Sequence, residues 1–458
     1  MLPPENKDLI PECVKDPIKV YRKRWWILFI YSLYASANAF QWLEYSIITN
    51  SVMKYYDVSS LMVDWTSLIY MAAYPVTVIP VSYIIDVKGL RVAALCGGIG
   101  TAIAALIKIF AIGRDLFYLV LLGQAVGSTA QVFILSLPTK VAAVWFKPSE
   151  VSTACAIGVF GNQLGFALGF IIPPTLVKSD DDLNTIASNL KILCVGLVIY
   201  MIPLIVCLLF FFPKQPPSPP SYPQAEARKQ LAPTFREFME NFKKVIMKKG
   251  FIFHMLGYGL NYGIFSVVAT LLNQYVLQHF PNGEEDAGRM GSICIICGMF
   301  GVVLAGVVLD KTHKYKATCL CLFYMSILSL ASFIVALWQQ SMIFTYIVLS
   351  VFAFFNNSYI TAGFEFAVEI TFPHEESTAT GILNAVSQAA GVVILLAAGK
   401  INEKFGSLWS LIFQLILMVL AAFLTHFVPN VMNRQNAIAK NNIKTNEYVV
   451  IAQKRFNE

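Results

Sequence analysis

Apolar residues in this chain fall into blocks of about 20, set apart by short polar segments. Wound as a helix, a block of that length crosses about 30 Å of hydrocarbon. Twelve spans are predicted: 25–48, 65–85, 91–112, 117–142, 151–176, 190–212, 251–277, 289–309, 317–338, 342–370, 377–399 and 407–428. One long polar stretch, 213–250, separates the sixth from the seventh. The expected organisation is an all-α membrane protein. A cytoplasmic tail (1–24) leads to a six-helix half (25–212), the linker (213–250), a second six-helix half (251–428) and a cytoplasmic tail (429–458). The linker opens with a proline-rich run that favours extended backbone. Thr234-Phe-Arg-Glu237 then has the spacing of a capping box. Phe235, Phe238, Met239, Phe242 and Ile246 follow at helical spacing, with Lys243, Lys244, Lys248 and Lys249 among or beyond them. That pattern predicts an amphipathic helix, lying on the membrane surface or packed on the ends of the bundle.

Composition narrows the class. The 458 residues are 57% hydrophobic and 13% charged, against about 25% charged in a soluble chain. The formal charge of +7 would suit nucleic acid, but its placement argues otherwise. With both termini inside, 26 of the 34 Lys and Arg fall on the cytoplasmic side, as the positive-inside rule requires. No nucleic-acid partner is expected. Eight of the nine cysteines lie in apolar segments, and Cys294-x-x-Cys297 sits within a span without a second pair, so packing explains it. Residues 1–24 are polar and carry both signs of charge, so no cleavable leader is expected. No nucleophile–base pair, metal-ligand spacing or phosphate loop is present, and Gly97, Gly98 and Gly100 fall inside a span. An enzyme is the weakest reading; no catalytic residue, metal or cofactor is expected.

The two halves repeat. Asp86-x-x-Gly89-Leu-Arg91 closes the second span, and Asp310 opens a degenerate copy without the glycine after the eighth. Ser152-Thr-Ala154 is matched by Ser377-Thr-Ala379, and Gln163 by Gln388. Two six-helix units in one orientation form the parallel-repeat pattern of secondary transporters. The Asp86, Gly89, Arg91 loop and Asp310 are expected to serve gating or structure.

Polar residues within spans are costly and tend to face the bundle interior. Asn38, Gln41, Trp42 and Tyr45 share one helical face. So do Gln124, Ser128 and Gln131 in the fourth span. Asn162 and Gln163 lie in the fifth, Asn261, Tyr262, Phe265 and Ser266 in the seventh, Asn357, Thr361 and Glu365 in the tenth, and Asn384, Ser387 and Gln388 in the eleventh. Taken singly, each amide reads as interhelical glue. Together they predict a central cavity rich in amides and aromatics. The candidate binding residues are Asn38, Gln41, Trp42, Gln131, Asn162, Gln163, Tyr262, Phe265, Ser266 and Gln388. Glu365 is read as a proton carrier or as a helix lock. Lys108 is expected to snorkel outward, and Gly158, Gly161, Gly165 and Gly169 to let helices pack closely.

Seven motifs carry a resemblance: Asn38-Ala-Phe-Gln-Trp42-Leu-Glu-Tyr-Ser46, Gln131-Val-Phe-Ile-Leu-Ser-Leu-Pro138, Val144-Trp-Phe146, Glu150-Val-Ser-Thr-Ala-Cys-Ala156, Gly161-Asn-Gln-Leu-Gly165, Thr270-Leu-Leu-Asn-Gln274 and Gly363-Phe-Glu-Phe-Ala-Val-Glu369. From about residue 20 to 428 the chain resembles the feline leukaemia virus subgroup C receptor family of major facilitator transporters. The resemblance implies a major facilitator fold and carriage of choline or ethanolamine, in a family first described as haem exporters. It also implies that Trp42 is a cage aromatic and that Gln131, Asn162, Gln163 and Gln388 are polar lining. The family pattern has two adjacent aromatics in the seventh span, where this chain reads Phe265-Ser266. Tyr262, one turn before Ser266, is the expected replacement. The alternatives are haem, another organic cation or metabolite, or a receptor that transports nothing. Uniport by one copy of the chain in the plasma membrane is the default expectation, with mitochondrial or internal membranes as alternatives.

Overall fold

The computed structural model describes residues 19–147, 150–220, 224, 234–248, 250–281, 283–372 and 376–433. The side chains of Thr139, Val151, Ser152, Asp310, Glu376 and Ser377 fall outside that description, so the Asp310 and Ser152/Ser377 expectations lie beyond it. Among the described residues the fold is helical, without a strand. The helices are α1 (Lys23–Leu43), α2 (Thr49–Tyr56), α3 (Ser60–Lys88), α4 (Leu90–Phe110), α5 (Phe117–Leu135), α6 (Leu137–Trp145), α7 (Val151–Leu176), α8 (Leu183–Phe211), α9 (Phe235–Ile246), α10 (Phe251–Leu277), α11 (Glu284–Thr312), α12 (Tyr315–Trp338), α13 (Met342–Thr371), α14 (Glu376–Phe405) and α15 (Ser407–His426). Eleven of these are long and apolar enough to cross a membrane. The 21-residue α1 is a further long helix at the place of the first predicted span. Its run includes Lys23, Arg24, Asn38 and Gln41, which dilute its apolar character.

Two spans are broken where the sequence pattern predicts continuous helix. The first stops at Leu43 and passes through a 3-10 turn, Ser46–Ile48, into α2. There the Ser46 hydroxyl donates to Leu43 O at 3.2 Å and the Thr49 hydroxyl to Ser46 O at 2.7 Å, so side chains take carbonyls that a continuing helix would use. The fourth breaks at Ser136 into α5 and α6. Pro138 has no N–H to give the Ile134 carbonyl, its partner one turn back. The Tyr31 hydroxyl donates to that carbonyl instead, at 3.0 Å.

The chain forms two compact units. The first comprises Met1–Phe238, Val267–Ile296 and Leu395–Ser407; the second comprises Met239–Ser266, Cys297–Ile394 and Leu408–Glu458. Within the first, α7 lies along α1. A Cβ added at Gly161 would sit 2.6 Å from Ser32 Cα, and one at Gly165 would sit 2.1 Å from Ser36 O. The glycines therefore set the α1–α7 distance, as expected. Within the second, α12 packs on α13, and α10 meets α14 closely enough that a Cβ at Gly263 would lie 2.9 Å from the Gly391 nitrogen.

Lys108 does not snorkel. Its side chain and that of Glu44 are each 1% exposed and form an ion pair, which Gln124 Oε1 joins at 3.3 Å from Nζ. The Tyr45 ring also lies 5.9 Å from the Lys108 ammonium. The acidic partner of Lys108 comes from α1, brought in by packing. The Asp86 loop is likewise tied to distant elements. Asp86 pairs with Lys140 on α6, and Arg91 donates to Leu209 O at 3.0 Å on α8. Gly89 takes φ +85° between α3 and α4, a conformation that favours glycine.

The linker helix α9 starts in the predicted capping box. Thr234 N–H donates to Glu237 Oε2 at 2.8 Å, and Glu237 N–H to Thr234 Oγ1 at 3.3 Å. Phe235 and Phe238 pack against the Tyr83 ring of α3. Beyond α9, Lys248 donates to Thr371 O at 2.9 Å and to Phe372 O, placing a cation at the carbonyl end of α13 where the helix dipole favours it.

Candidate functional site

In the first unit, amide hydrogen bonds hold the polar face of α1. Asn38 Nδ2 donates to Thr101 Oγ1 at 3.1 Å and to Gly127 O at 3.0 Å. Gln41 Nε2 donates to Thr101 O at 3.1 Å, and Gln124 Nε2 to Gln41 O at 2.9 Å. Asn38 is thus fastened to α4 and α5 by its side-chain nitrogen, and Gln41 to α4 by its side-chain nitrogen and to α5 by its backbone carbonyl, while Asn38 Oδ1 and Gln41 Oε1 have no hydrogen-bond partner. One turn beyond Asn38, the Trp42 indole lies parallel to Tyr70 of α3, with ring centroids 5.7 Å apart and an interplanar angle of 9°. Phe166 of α7 meets Trp42 at 5.3 Å and 63°. Trp42 is 5% exposed and its Nε1 has no partner.

Gln131 is fully buried, and neither end of its amide has a partner. Two α1–α5 hydrogen bonds bracket it: Asn38 to Gly127 O on one side and Tyr31 to Ile134 O on the other. Asn162 and Gln163 are half-buried on α7, between the two glycines that rest on Ser32 and Ser36. Asn162 Oδ1 is also without a partner. Gln131 and Asn162 therefore lie level with the same two turns of α1. A buried amide with both ends unpaired is costly, so Gln131 is a candidate partner for a small polar ligand.

In the second unit, half-buried Tyr262 lies parallel to Tyr258, 6.3 Å away at 4°. Tyr258 in turn packs on Tyr359 and Phe364 and fills the space that a Cβ at Gly363 would need. The Ser266 hydroxyl donates to Tyr262 O at 3.1 Å, so it serves its own helix. Phe265 meets Phe352 at 6.2 Å. The close α10–α14 packing at Gly263 brings this stretch beside the turn of α14 that carries Ser387 and Gln388; Gln388 is buried and its Oε1 has no partner. Glu365 is half-buried on α13. His254 is fully buried, with Nε2 2.8 Å from Gly363 O. Among the described residues no cluster of three or more His, Cys, Asp or Glu could hold a metal ion.

The sequence pattern missed three groups. Tyr70 and Phe166 are the neighbours of Trp42; nothing local in the sequence marks an aromatic that packs across helices. Asp64 was placed before the second span, which was predicted to begin at 65. The helix begins at Ser60, and the Ser59 hydroxyl accepts Met62 N–H at 3.4 Å. That serine before an apolar run was the available signal. Asp64 is 2% exposed and ends a directional chain of hydrogen bonds within the first unit. Ser407 N–H donates to Gln278 Oε1 at 2.7 Å, Gln278 Nε2 to Asn402 Oδ1 at 3.0 Å, Asn402 Nδ2 to Gln274 Oε1 at 3.0 Å, and Gln274 Nε2 to Asp64 Oδ1 at 2.8 Å. Each bond polarises the next toward the carboxylate.

Residues 27–395 match the family model described as Major Facilitator Superfamily. The chain is 39% identical over 420 residues to the choline/ethanolamine transporter flvcr2a of Danio rerio, covering 92% of this chain and 89% of the relative. It is 35% identical to the human choline/ethanolamine transporter FLVCR2 (92% and 80% covered) and 38% identical to FLVCR1 of Felis catus (92% and 76% covered). Among solved structures it is similar to the D-xylose-proton symporter, with a TM-score of 0.70 at 14% identity (88% and 98% covered). It is also similar to a bacterial homologue of the lysosomal transporter Spinster, with a TM-score of 0.67 at 14% identity (90% and 98% covered). At such identities the two structures bear on the fold alone.

Proposed function

Because this chain belongs to the major facilitator superfamily and, within it, to the family of the choline/ethanolamine transporters FLVCR1 and FLVCR2, we propose that it carries choline, ethanolamine or both across a membrane by alternating access. The observation that supports this reading best is Trp42 in an aromatic setting, next to Gln41 and one turn beyond Asn38, buried amides whose oxygens have no partner. An aromatic face attracts an organic cation, and an amide serves its hydroxyl or N–H groups. The proposed substrate-binding residues are Asn38, Gln41, Trp42, Gln131, Asn162 and Gln163 in the first unit and Tyr262, Phe265, Ser266 and Gln388 in the second. Tyr262 takes the part of the aromatic absent at Ser266.

Haem would need an axial ligand and cations for two propionates. His254 is buried and engaged with Gly363 O, which favours the small cation. The Asp86, Gly89, Arg91 loop and Asp310 would act in gating. Both termini and the linker helix would face the cytoplasm, a single copy would suffice, and the plasma membrane is the proposed residence. Glu365 would be the proton carrier only if transport were proton-coupled; uniport is the simpler reading.

The deciding experiment is uptake of radiolabelled choline and ethanolamine by cells expressing the wild type or Trp42→Ala. Saturable uptake by the wild type, lost in Trp42→Ala at unchanged surface expression, is the expected result. Uptake of neither compound by a wild type present at the surface would sink the reading.

A further inference from the structure

We propose that this site prefers a primary ammonium to a quaternary one, so that ethanolamine is carried better than choline. The inference rests on the carrier reading above and deepens it, from two independent observations. The first is an excess of buried amide oxygens without donors in the first unit, Gln131 Oε1 and Asn162 Oδ1. A primary ammonium brings three N–H donors, and its bond to a carbonyl oxygen is charge-assisted. A quaternary ammonium brings none. Its methyl groups would shut those oxygens away from water while leaving them unpaired, and an unpaired buried acceptor is costly. Gln131 has both amide ends free, so it offers an acceptor for the ammonium and a donor for the hydroxyl oxygen of a small amino alcohol.

The second observation is that Trp42 and Tyr262 each have one ring face already engaged. One face of Trp42 lies against Tyr70 in parallel stacking, with Phe166 at 5.3 Å. Tyr262 lies parallel to Tyr258. Position 266, next to Phe265 on α10, carries a hydroxyl bonded to its own helix rather than a ring. Trimethylammonium recognition relies on several open faces closing around the methyl groups. The residues present provide fewer faces and more acceptors than that ligand can use.

The test is initial uptake of ethanolamine and its N-methyl, N,N-dimethyl and N,N,N-trimethyl (choline) derivatives by cells expressing the wild type. The expected result is a kcat/KM that falls with each added methyl, by about tenfold or more from ethanolamine to choline, chiefly through KM. Gln131→Leu, at matched surface expression, should flatten the series, lowering ethanolamine uptake more than choline uptake. A kcat/KM that rises with methylation overturns the proposal, as does a Gln131→Leu series as steep as that of the wild type. If Gln131→Leu fails to reach the surface, the wild-type series alone decides. Choline carried better than ethanolamine sinks the selectivity and leaves the carrier reading standing, whereas uptake of none of the four sinks both.

Discussion

Glu44 and Lys108 lie 64 positions apart in the chain, yet each leaves 1% of its side chain exposed and they pair with one another. Two buried charges are tolerable only together. Lys108→Met should leave the Glu44 carboxylate buried without a cation and cost about 3–5 kcal/mol. The double variant Glu44→Gln, Lys108→Met should recover most of that loss. Thermal unfolding of the detergent-solubilised proteins checks both, and equal melting temperatures for wild type and Lys108→Met would refute the pairing. Local spacing shows that Lys108 sits in an apolar run; it holds no information about which helix supplies its counter-charge. The same limit hid Asp64, whose four-bond amide chain draws on α3, α10, α14 and α15. The amides of the candidate site were legible by their spacing, but which of their atoms stay unpaired was not.

At the scale of elements, apolar runs located the helices, whereas the break in the fourth span falls where they predict continuous helix. The interruption at Ser136 follows from Pro138 and is tolerated because Tyr31 takes the Ile134 carbonyl. Tyr31→Phe should therefore destabilise the fold by about 1 kcal/mol, while Pro138→Ala should make Tyr31→Phe milder by restoring a backbone donor. A double-mutant cycle of melting temperatures tests that coupling. The linker helix α9 provides a pH prediction. The hydrogen bonds from Thr234, backbone first, hold the Glu237 carboxyl below the usual carboxylate range. Its folded pKa is depressed, so the cap contributes fully above the unfolded carboxylate pKa and is lost as pH falls through the folded one. Acidification below about pH 4 should loosen α9, read as faster proteolysis near residue 235 in wild type than at neutral pH. Thr234→Ala should show that faster cleavage at neutral pH too.

For the whole molecule, the carrier reading yields a voltage test. A monovalent cation moving inward gains about 2.3 kcal/mol per 100 mV. Uniport therefore predicts slower uptake on depolarisation, at constant substrate and independent of outside pH. Uptake that follows the proton gradient and collapses in Glu365→Gln would point to coupling instead. By itself the sequence determined the membrane class, the run of long helices, the two-half repeat and the faces on which amides and aromatics gather, because hydrophobic length and the 3.6-residue period act locally. The tertiary structure decided which partner each polar group meets. It set Lys108 against Glu44, Trp42 against Tyr70 and Phe166, and Asp64 at the end of an amide chain, and it left both ends of Gln131 unpaired. The physical reason is that a helical face states a direction, whereas a hydrogen bond or ring contact needs a distance, and only packing between helices far apart in the chain sets that.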